Sequence, residues 1–133
     1  MEKDDRYYGS DLNKMIDKEC TRFMTVMNID LIMYEKYSKS IRIIESKHSH
    51  EKMRNPQYNL LMILSTFEKI LKQNTDYSFE VFTIYGDPPY KTAWIKKMNK
   101  NLSIEVNHNE LINFLNFKLS FEDLIKMKEG KTK

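Results

Sequence analysis

The chain has 133 residues, of which 41% are hydrophobic, 12% aromatic and 31% charged. This length suits one domain of roughly 100–150 residues, and the aromatic content excludes a disordered polymer. The net charge of +3 is only a mild excess, whereas dedicated nucleic-acid-binding domains are often more basic. We therefore expect a single domain over residues 1–133, with loose tails at 1–9 and 130–133.

Several classes of protein are excluded by residue usage. The single cysteine, Cys20, has no internal disulfide partner, which is typical of a reducing compartment. The first nine residues are charged and the longest apolar run covers only residues 60–64, so we expect neither a secretory signal nor a membrane span, and a cytoplasmic setting. Three glycines cannot supply a P-loop or a dinucleotide fingerprint, so no cofactor is predicted. The excess of Lys, Asn, Ile, Tyr and Phe is typical of AT-rich genomes, such as those of many phages and viruses.

Residues 11–47 contain neither glycine nor proline. Their apolar side chains recur about every 3.6 residues, which predicts one long amphipathic helix, about 55 Å long if unbroken. Such a helix would either bend near residues 28–30 or project and pair with a second copy. A second helix is predicted from Asn55, with Pro56 at its first position, to Asn74. The short charged link between them favours an antiparallel helical hairpin.

The pattern then becomes that of β-strands. Residues 78–85 are rich in aromatic and β-branched side chains, and residues 102–106 alternate between apolar and polar. Residues 91–98 are predicted as a middle strand with Trp94 and Ile95 on opposite faces, between turns at 86–90 and 99–101. These segments predict a three-stranded antiparallel meander.

The last segment is predicted to be helical. Asn107 and Glu110 have the spacing of a capping box, Ser120 and Asp123 repeat a similar signal, and Gly130 marks an end. The predicted fold class is α+β: an N-terminal helical hairpin, with a long first helix, packs on the three-stranded meander, and one or two short C-terminal helices follow.

The predicted first helix is apolar over much of its circumference and longer than a small domain can cover. We therefore predict a protein partner, or a homodimer through the first helix. The interface residues would be Phe23, Val26, Met27, Ile29, Met33 and Tyr34. The function predicted is that of a non-enzymatic interaction or regulatory protein, such as an inhibitor encoded by a phage, virus or mobile element.

An alternative function is suggested by the basic, aromatic segment after residue 85. Lysines neutralise phosphates and an exposed aromatic ring stacks on a base, so this segment has the chemistry of a nucleic-acid-binding hairpin. Its residues are Tyr90, Lys91, Trp94, Lys96, Lys97 and Lys100. The competing interpretation is that Trp94 belongs to the core and that the lysines form a solvated edge.

Two further patterns involve histidines. Arg42 and His48 are separated by five residues, a spacing that resembles the Arg-His motif of HEPN ribonucleases and would imply RNA cleavage by this pair. The resemblance is confined to these two residues, and HEPN domains are all helical. His48, His50 and Glu51 have the chemistry of zinc ligands. Side chains two residues apart on a helix diverge, so no metal site is predicted. No catalytic residue is predicted either.

Overall fold

A computed structural model describes residues 11–19 and 29–131 of the chain. The helices are α1 (Asp11–Glu19), α2 (Asn55–Ser65), α3 (Phe67–Asn74), α4 (His108–Leu115) and α5 (Phe121–Lys131). The strands are β1 (Leu31–Glu35), β2 (Ser40–Lys47), β3 (Ser78–Gly86), β4 (Thr92–Lys97) and β5 (Leu102–Asn107), with a 3-10 turn at Met98–Lys100.

The five strands form one mixed sheet in the order β1-β2-β3-β4-β5. Only β2 and β3 are parallel, and the other neighbouring pairs are antiparallel. A parallel pair needs a crossover connection rather than a tight turn. Helices α2 and α3 provide that crossover between the two central strands.

Helices cover both faces of the sheet. On the face that we call the α4/α5 face, Ile44, Phe82 and Ile95 pack in one core with side chains of α4 and α5. On the opposite face, the α2/α3 face, Ile43 and Val81 pack with Leu61 of α2 and with Met98. Because successive strand residues point to opposite faces, the pairs Ile43/Ile44 and Val81/Phe82 each serve both cores.

The prediction of one long first helix is wrong from residue 31 onward. Residues 11–19 are helical, but residues 31–35 and 40–47 are strands, and residues 20–28 lie outside the described part of the chain. The fold is therefore a five-stranded mixed sheet with helices on both faces, and not a helical hairpin on a three-stranded meander. Ile-rich segments such as Ile41–Ile44 favour extended backbone, since β-branched side chains are restricted in helices.

The β1–β2 hairpin turns without glycine or proline. The Glu35 carboxylate accepts hydrogen bonds from the backbone N–H groups of Tyr37, at 3.1 Å, and Ser38, at 2.8 Å. Lys39 adopts a left-handed conformation with φ of 54°, and its carbonyl accepts a hydrogen bond from the Ser78 N–H at 2.8 Å. A side-chain carboxylate thus organises a turn that residue composition does not signal.

The later elements lie where the sequence predicted them. Strands β3, β4 and β5 form the predicted antiparallel meander, although as part of a larger sheet. The predicted second helix is divided at Thr66 into α2 and α3. The capping box of Asn107 and Glu110 is present, and α5 runs one residue past Gly130.

Candidate interaction surfaces

Strand β1 is an edge strand with exposed apolar side chains. It pairs with β2 along one side, and no other described strand pairs with its outer side. Ile32 is 64% exposed, Tyr34 57% and Leu31 48%. We call this strand, with the exposed rings of Tyr37 and Tyr77, the β1 surface.

The β1 surface continues onto both faces of the sheet. On the α2/α3 face, Tyr34 lies 6.4 Å from Tyr77 between ring centroids, and the hydrogen bond between the two side chains raises the pKa of Tyr34. On the α4/α5 face, an apolar pocket of about 240 Å³ lies beside β1. Leu31, Ile84 and Leu111 are among the side chains that line it.

The other edge of the sheet is more polar, although Leu102 of β5 is 41% exposed. Ser103, Glu105 and Asn107 of β5 are exposed, and Glu105 lies opposite Trp94 in the ladder. Charged and polar side chains on an edge discourage pairing with other strands. Strand β1 carries Glu35 as its only charge, and that carboxylate is occupied by its own turn. The two edges therefore differ in how well they are protected.

The residues predicted as the protein interface are separated by the structure. Phe23, Val26 and Met27 lie outside the described residues. Ile29 is half-buried against the α2/α3 core, and Met33 packs against the α4/α5 core. Among those of the six that the structure describes, Tyr34 has a largely exposed side chain.

The predicted nucleic-acid-binding residues are also divided between the two faces. Trp94 is 47% exposed on the α2/α3 face, with Lys91 exposed nearby and the Lys96 ammonium 5.6 Å from the Tyr58 ring centroid. Tyr90 instead packs against the α4/α5 core. Lys97 is 2% exposed, and Lys100 forms an ion pair with Glu122 at 3.8 Å. Only Lys91, Trp94 and Lys96 thus remain available on one surface.

A small pocket of about 260 Å³ lies beside Trp94 and is also lined by Tyr85, Asp87 and Lys91. Asp87 accepts a hydrogen bond from the Ser49 hydroxyl, and its Oδ1 lies 3.2 Å from Nδ1 of His48. These bonds lower the pKa of Asp87. A serine nucleophile needs the imidazole as its base, but here the carboxylate lies between the two, so this is not a nucleophilic triad.

A buried ion cluster lies where β3 begins and β4 ends. The Lys97 ammonium is 2.9 Å from Glu80, 3.0 Å from Glu68 and 3.5 Å from Glu122. Burial alone would lower the pKa of Lys97, but Glu80 and Glu68 outweigh it and the net shift is upward. The cluster lines a cavity of about 770 Å³. Because its charges pair with one another, it explains how a lysine is accommodated in the core.

Arg42 belongs to the same cluster rather than to a site with His48. Its guanidinium donates to the carbonyls of Phe114 and Leu119 and lies 4.2 Å from the ring centroids of both Phe114 and Phe117. Arg42 is near the start of β2, whereas His48 follows its end and is exposed. At about 3.3 Å per strand residue, roughly 20 Å separates them.

The strand content of the sheet also departs from the all-helical architecture of HEPN domains. Within residues 11–19 and 29–131, no group of three or more His, Cys, Asp or Glu side chains is arranged to hold a metal ion. In the same part of the chain, none of the helices has the length and apolarity of a bilayer-crossing segment. No protein-family model, characterised protein or solved structure matches the chain.

Proposed function

We propose that the protein is a non-enzymatic interaction module that binds a protein partner through the β1 surface. Such a module would act as a small regulator or inhibitor, with the cytoplasm as its expected setting. The observation that carries this proposal is the outer edge of β1, which pairs with no other described strand and where three apolar side chains are about half exposed or more.

The chemistry of an edge strand supports this choice. A free edge presents a row of backbone donors and acceptors to an incoming strand, and alternate side chains then provide specificity. Natural edges carry lysine, proline or a bulge to prevent such pairing. None of these occurs in Leu31–Glu35, whereas the β5 edge exposes Ser103, Glu105 and Asn107.

The test is affinity capture from an extract of the source organism, quantified by mass spectrometry. We expect the Ile32→Lys and Tyr34→Lys variants to lose the proteins that the wild type retains, because each places a charge on the β1 surface. Ser103→Lys makes the same kind of change on the exposed β5 edge and should retain them. Equal capture by the wild type and Ile32→Lys would contradict the proposal.

A second candidate function is the binding of single-stranded nucleic acid by Trp94, Lys91 and Lys96. The observation in its favour is the exposed Trp94 ring beside a pocket with a lysine at its rim. Base stacking on an aromatic ring contributes about 1–3 kcal/mol per base. Two lysines provide a small electrostatic contribution, and the logarithm of the binding constant should fall with the logarithm of the salt concentration with a slope of about −1.4.

Fluorescence tests this second function directly, since Trp94 is the single tryptophan. Titration with a short oligonucleotide should quench its emission in a salt-dependent way, and Lys91→Ala should weaken the binding. Lys100→Ala is the matched control because the Lys100 ammonium is paired with Glu122. An unchanged emission at low salt would exclude stacking on Trp94.

A further inference from the structure

We infer that the partner of the β1 surface is a second copy of this chain, joined through antiparallel pairing of the two β1 strands about a two-fold axis at Met33. This inference rests on the proposed function and names the partner, so the protein retained through β1 in the capture experiment would be the chain itself. The two five-stranded sheets would then form one continuous sheet of ten strands.

The register follows from the length of β1 and from its side chains. A two-fold axis perpendicular to the sheet keeps equivalent faces on the same side, so paired residue numbers must have an even sum. When the numbers of paired residues sum to 66, residue 31 lies opposite 35, 32 opposite 34 and 33 opposite 33, so all five residues of Leu31–Glu35 are paired. Registers with a sum of 64 or 68 leave two residues of each strand unpaired. The full overlap selects Met33 as the residue on the axis.

In this register the exposed side chains are complementary. Ile32 lies opposite Tyr34 of the second copy, and the symmetry repeats that contact, so the two most exposed apolar residues of the strand cover each other. Aromatic–aliphatic pairs directly opposite each other stabilise antiparallel strand pairing. Met33 meets its own equivalent on the α4/α5 face, next to the core that it already contacts.

Charges beyond the ends of the strand are complementary in the same register. Asp30 precedes β1 and Lys36 follows it, and their numbers also sum to 66. Each Asp30 is therefore placed opposite Lys36 of the second copy, so unlike charges face each other at both ends of the contact, although Asp30 Oδ2 already accepts a hydrogen bond from the Ser46 N–H of its own chain at 2.8 Å. Glu35 falls opposite Leu31, but its carboxylate is turned into its own hairpin, so no unpaired charge is brought into the contact.

The first test is the mass in solution. Light scattering should give twice 16.1 kDa at high concentration, and since a five-residue edge is a small interface, we expect a dissociation constant of about 1–100 µM. Ile32→Lys should weaken the dimer at least about tenfold, and Ser103→Lys should not. A wild-type protein that remains monomeric at about 500 µM overturns the inference.

The second test measures the register by single-cysteine cross-linking in a Cys20→Ser background. Directly opposite residues have Cα atoms about 4.5–5.5 Å apart, within the range that a disulfide requires. Met33→Cys should therefore cross-link under mild oxidation. Equivalent residues at position 32 or 34 would be about 8 Å apart across the axis, so Ile32→Cys and Tyr34→Cys alone should cross-link far less, and Ser103→Cys not at all.

Other occupants of the edge give different outcomes. If residues 20–28 of the same chain cover β1, the mass stays at 16.1 kDa and Met33→Cys does not cross-link. If a dimer forms but Ser103→Cys cross-links instead, the contact lies at β5. Either result overturns the inference, while the proposed function fails only if Ile32→Lys still captures the same proteins as the wild type.

Discussion

At the scale of single residues, Glu45 and Gln57 form an unusual buried pair. Gln57 Nε2 donates to Glu45 Oε2 at 2.8 Å, but Glu45 Oε1 and Gln57 Oε1 have no hydrogen-bond partner among the described residues. Burial raises the pKa of Glu45 to about 7; the negative charge of Asp30 adds to the increase, whereas Lys47 and hydrogen bonding with the Asp30 backbone oppose it. A proton on Oε1 would convert one of two unsatisfied acceptors into a donor, which favours the neutral acid.

This pair predicts a pH dependence of stability. An unfolded glutamate ionises near about pH 4.3, so between there and about pH 7 the folded chain holds a proton that the unfolded chain has released. The free energy of unfolding therefore falls as the pH rises through this window, by at most about 1.4 kcal/mol per unit. Above pH 7 this contribution levels off.

Glu45→Gln should remove that slope, because an amide does not ionise. We expect the variant to be more stable than the wild type at pH 8 and to differ little from it at pH 5. Urea unfolding at several pH values measures both, with the exposed Glu105→Gln as a control that should follow the wild type. Parallel pH profiles for the wild type and Glu45→Gln would show that Glu45 is ionised in the fold.

The buried Lys97 predicts a second effect at this scale. Lys97→Met leaves Glu80 in a mostly buried position without its 2.9 Å partner, and breaking a buried pair on one side costs about 3–5 kcal/mol. Adding Glu80→Gln should restore much of that loss. Lys100→Met removes an exposed lysine from the same Glu122 and should cost less than about 1 kcal/mol. If the losses of stability from Lys97→Met and Glu80→Gln simply add in the double variant, Lys97 and Glu80 do not stabilise the fold as a pair.

At the scale of elements, helix α4 begins with a closed capping box. The Asn107 side chain accepts from the Glu110 N–H at 2.8 Å, and the Glu110 carboxylate accepts from the Asn107 N–H at 2.9 Å. Asn107→Ala should lower the free energy of unfolding by about 1 kcal/mol, whereas Asn107→Ser should largely retain it. Asn109→Ala, at an exposed position in the same helix, provides the control. Equal stability of Asn107→Ala and Asn109→Ala would contradict a role for the cap.

Such local signals explain which elements could be predicted from the sequence. Hydrogen bonds between residues three apart form the caps of Asn107 with Glu110 and of Ser120 with Asp123, so the spacing of these residues predicts the helix starts.

The alternation of Trp94 and Ile95 likewise predicts β4, where Ile95 is buried and Trp94 exposed. The same period of two places Lys96 and Lys97 on opposite faces, so they cannot belong to one basic surface.

The β1–β2 hairpin could not be predicted in this way. Its turn depends on Glu35 and on the left-handed Lys39, neither of which is a usual turn signal. Apolar residues such as Leu31, Tyr34 and Ile41 happen to fit a helical period as well as a strand. Strand β2 is stabilised by parallel pairing with β3, which is more than 30 residues away in the sequence. Tertiary pairing of this kind overrides the local sequence pattern.

At the scale of the whole molecule, one sheet separates two cores. Leu61 and Leu124 are both fully buried, the first in the α2/α3 core and the second in the α4/α5 core. The two cores share the backbones of β2 and β3, whose adjacent residues point to opposite faces. Loss of either core should therefore weaken the same central strands, and the molecule should unfold as one cooperative unit.

Matched leucine-to-alanine changes test this coupling. Leu61→Ala and Leu124→Ala should each cost about 2–5 kcal/mol, and their effects should add, because the two sites lie on opposite faces and share no side-chain partner. Each variant should show one urea transition, with the same midpoint by far-UV circular dichroism and by Trp94 fluorescence. The control Ile63→Ala, which removes an exposed side chain from α2, should change stability by less than about 0.5 kcal/mol. If Leu61→Ala shifted the circular dichroism transition but left the Trp94 transition in place, α2 and α3 would unfold separately from the meander, and the molecule would not be one cooperative unit.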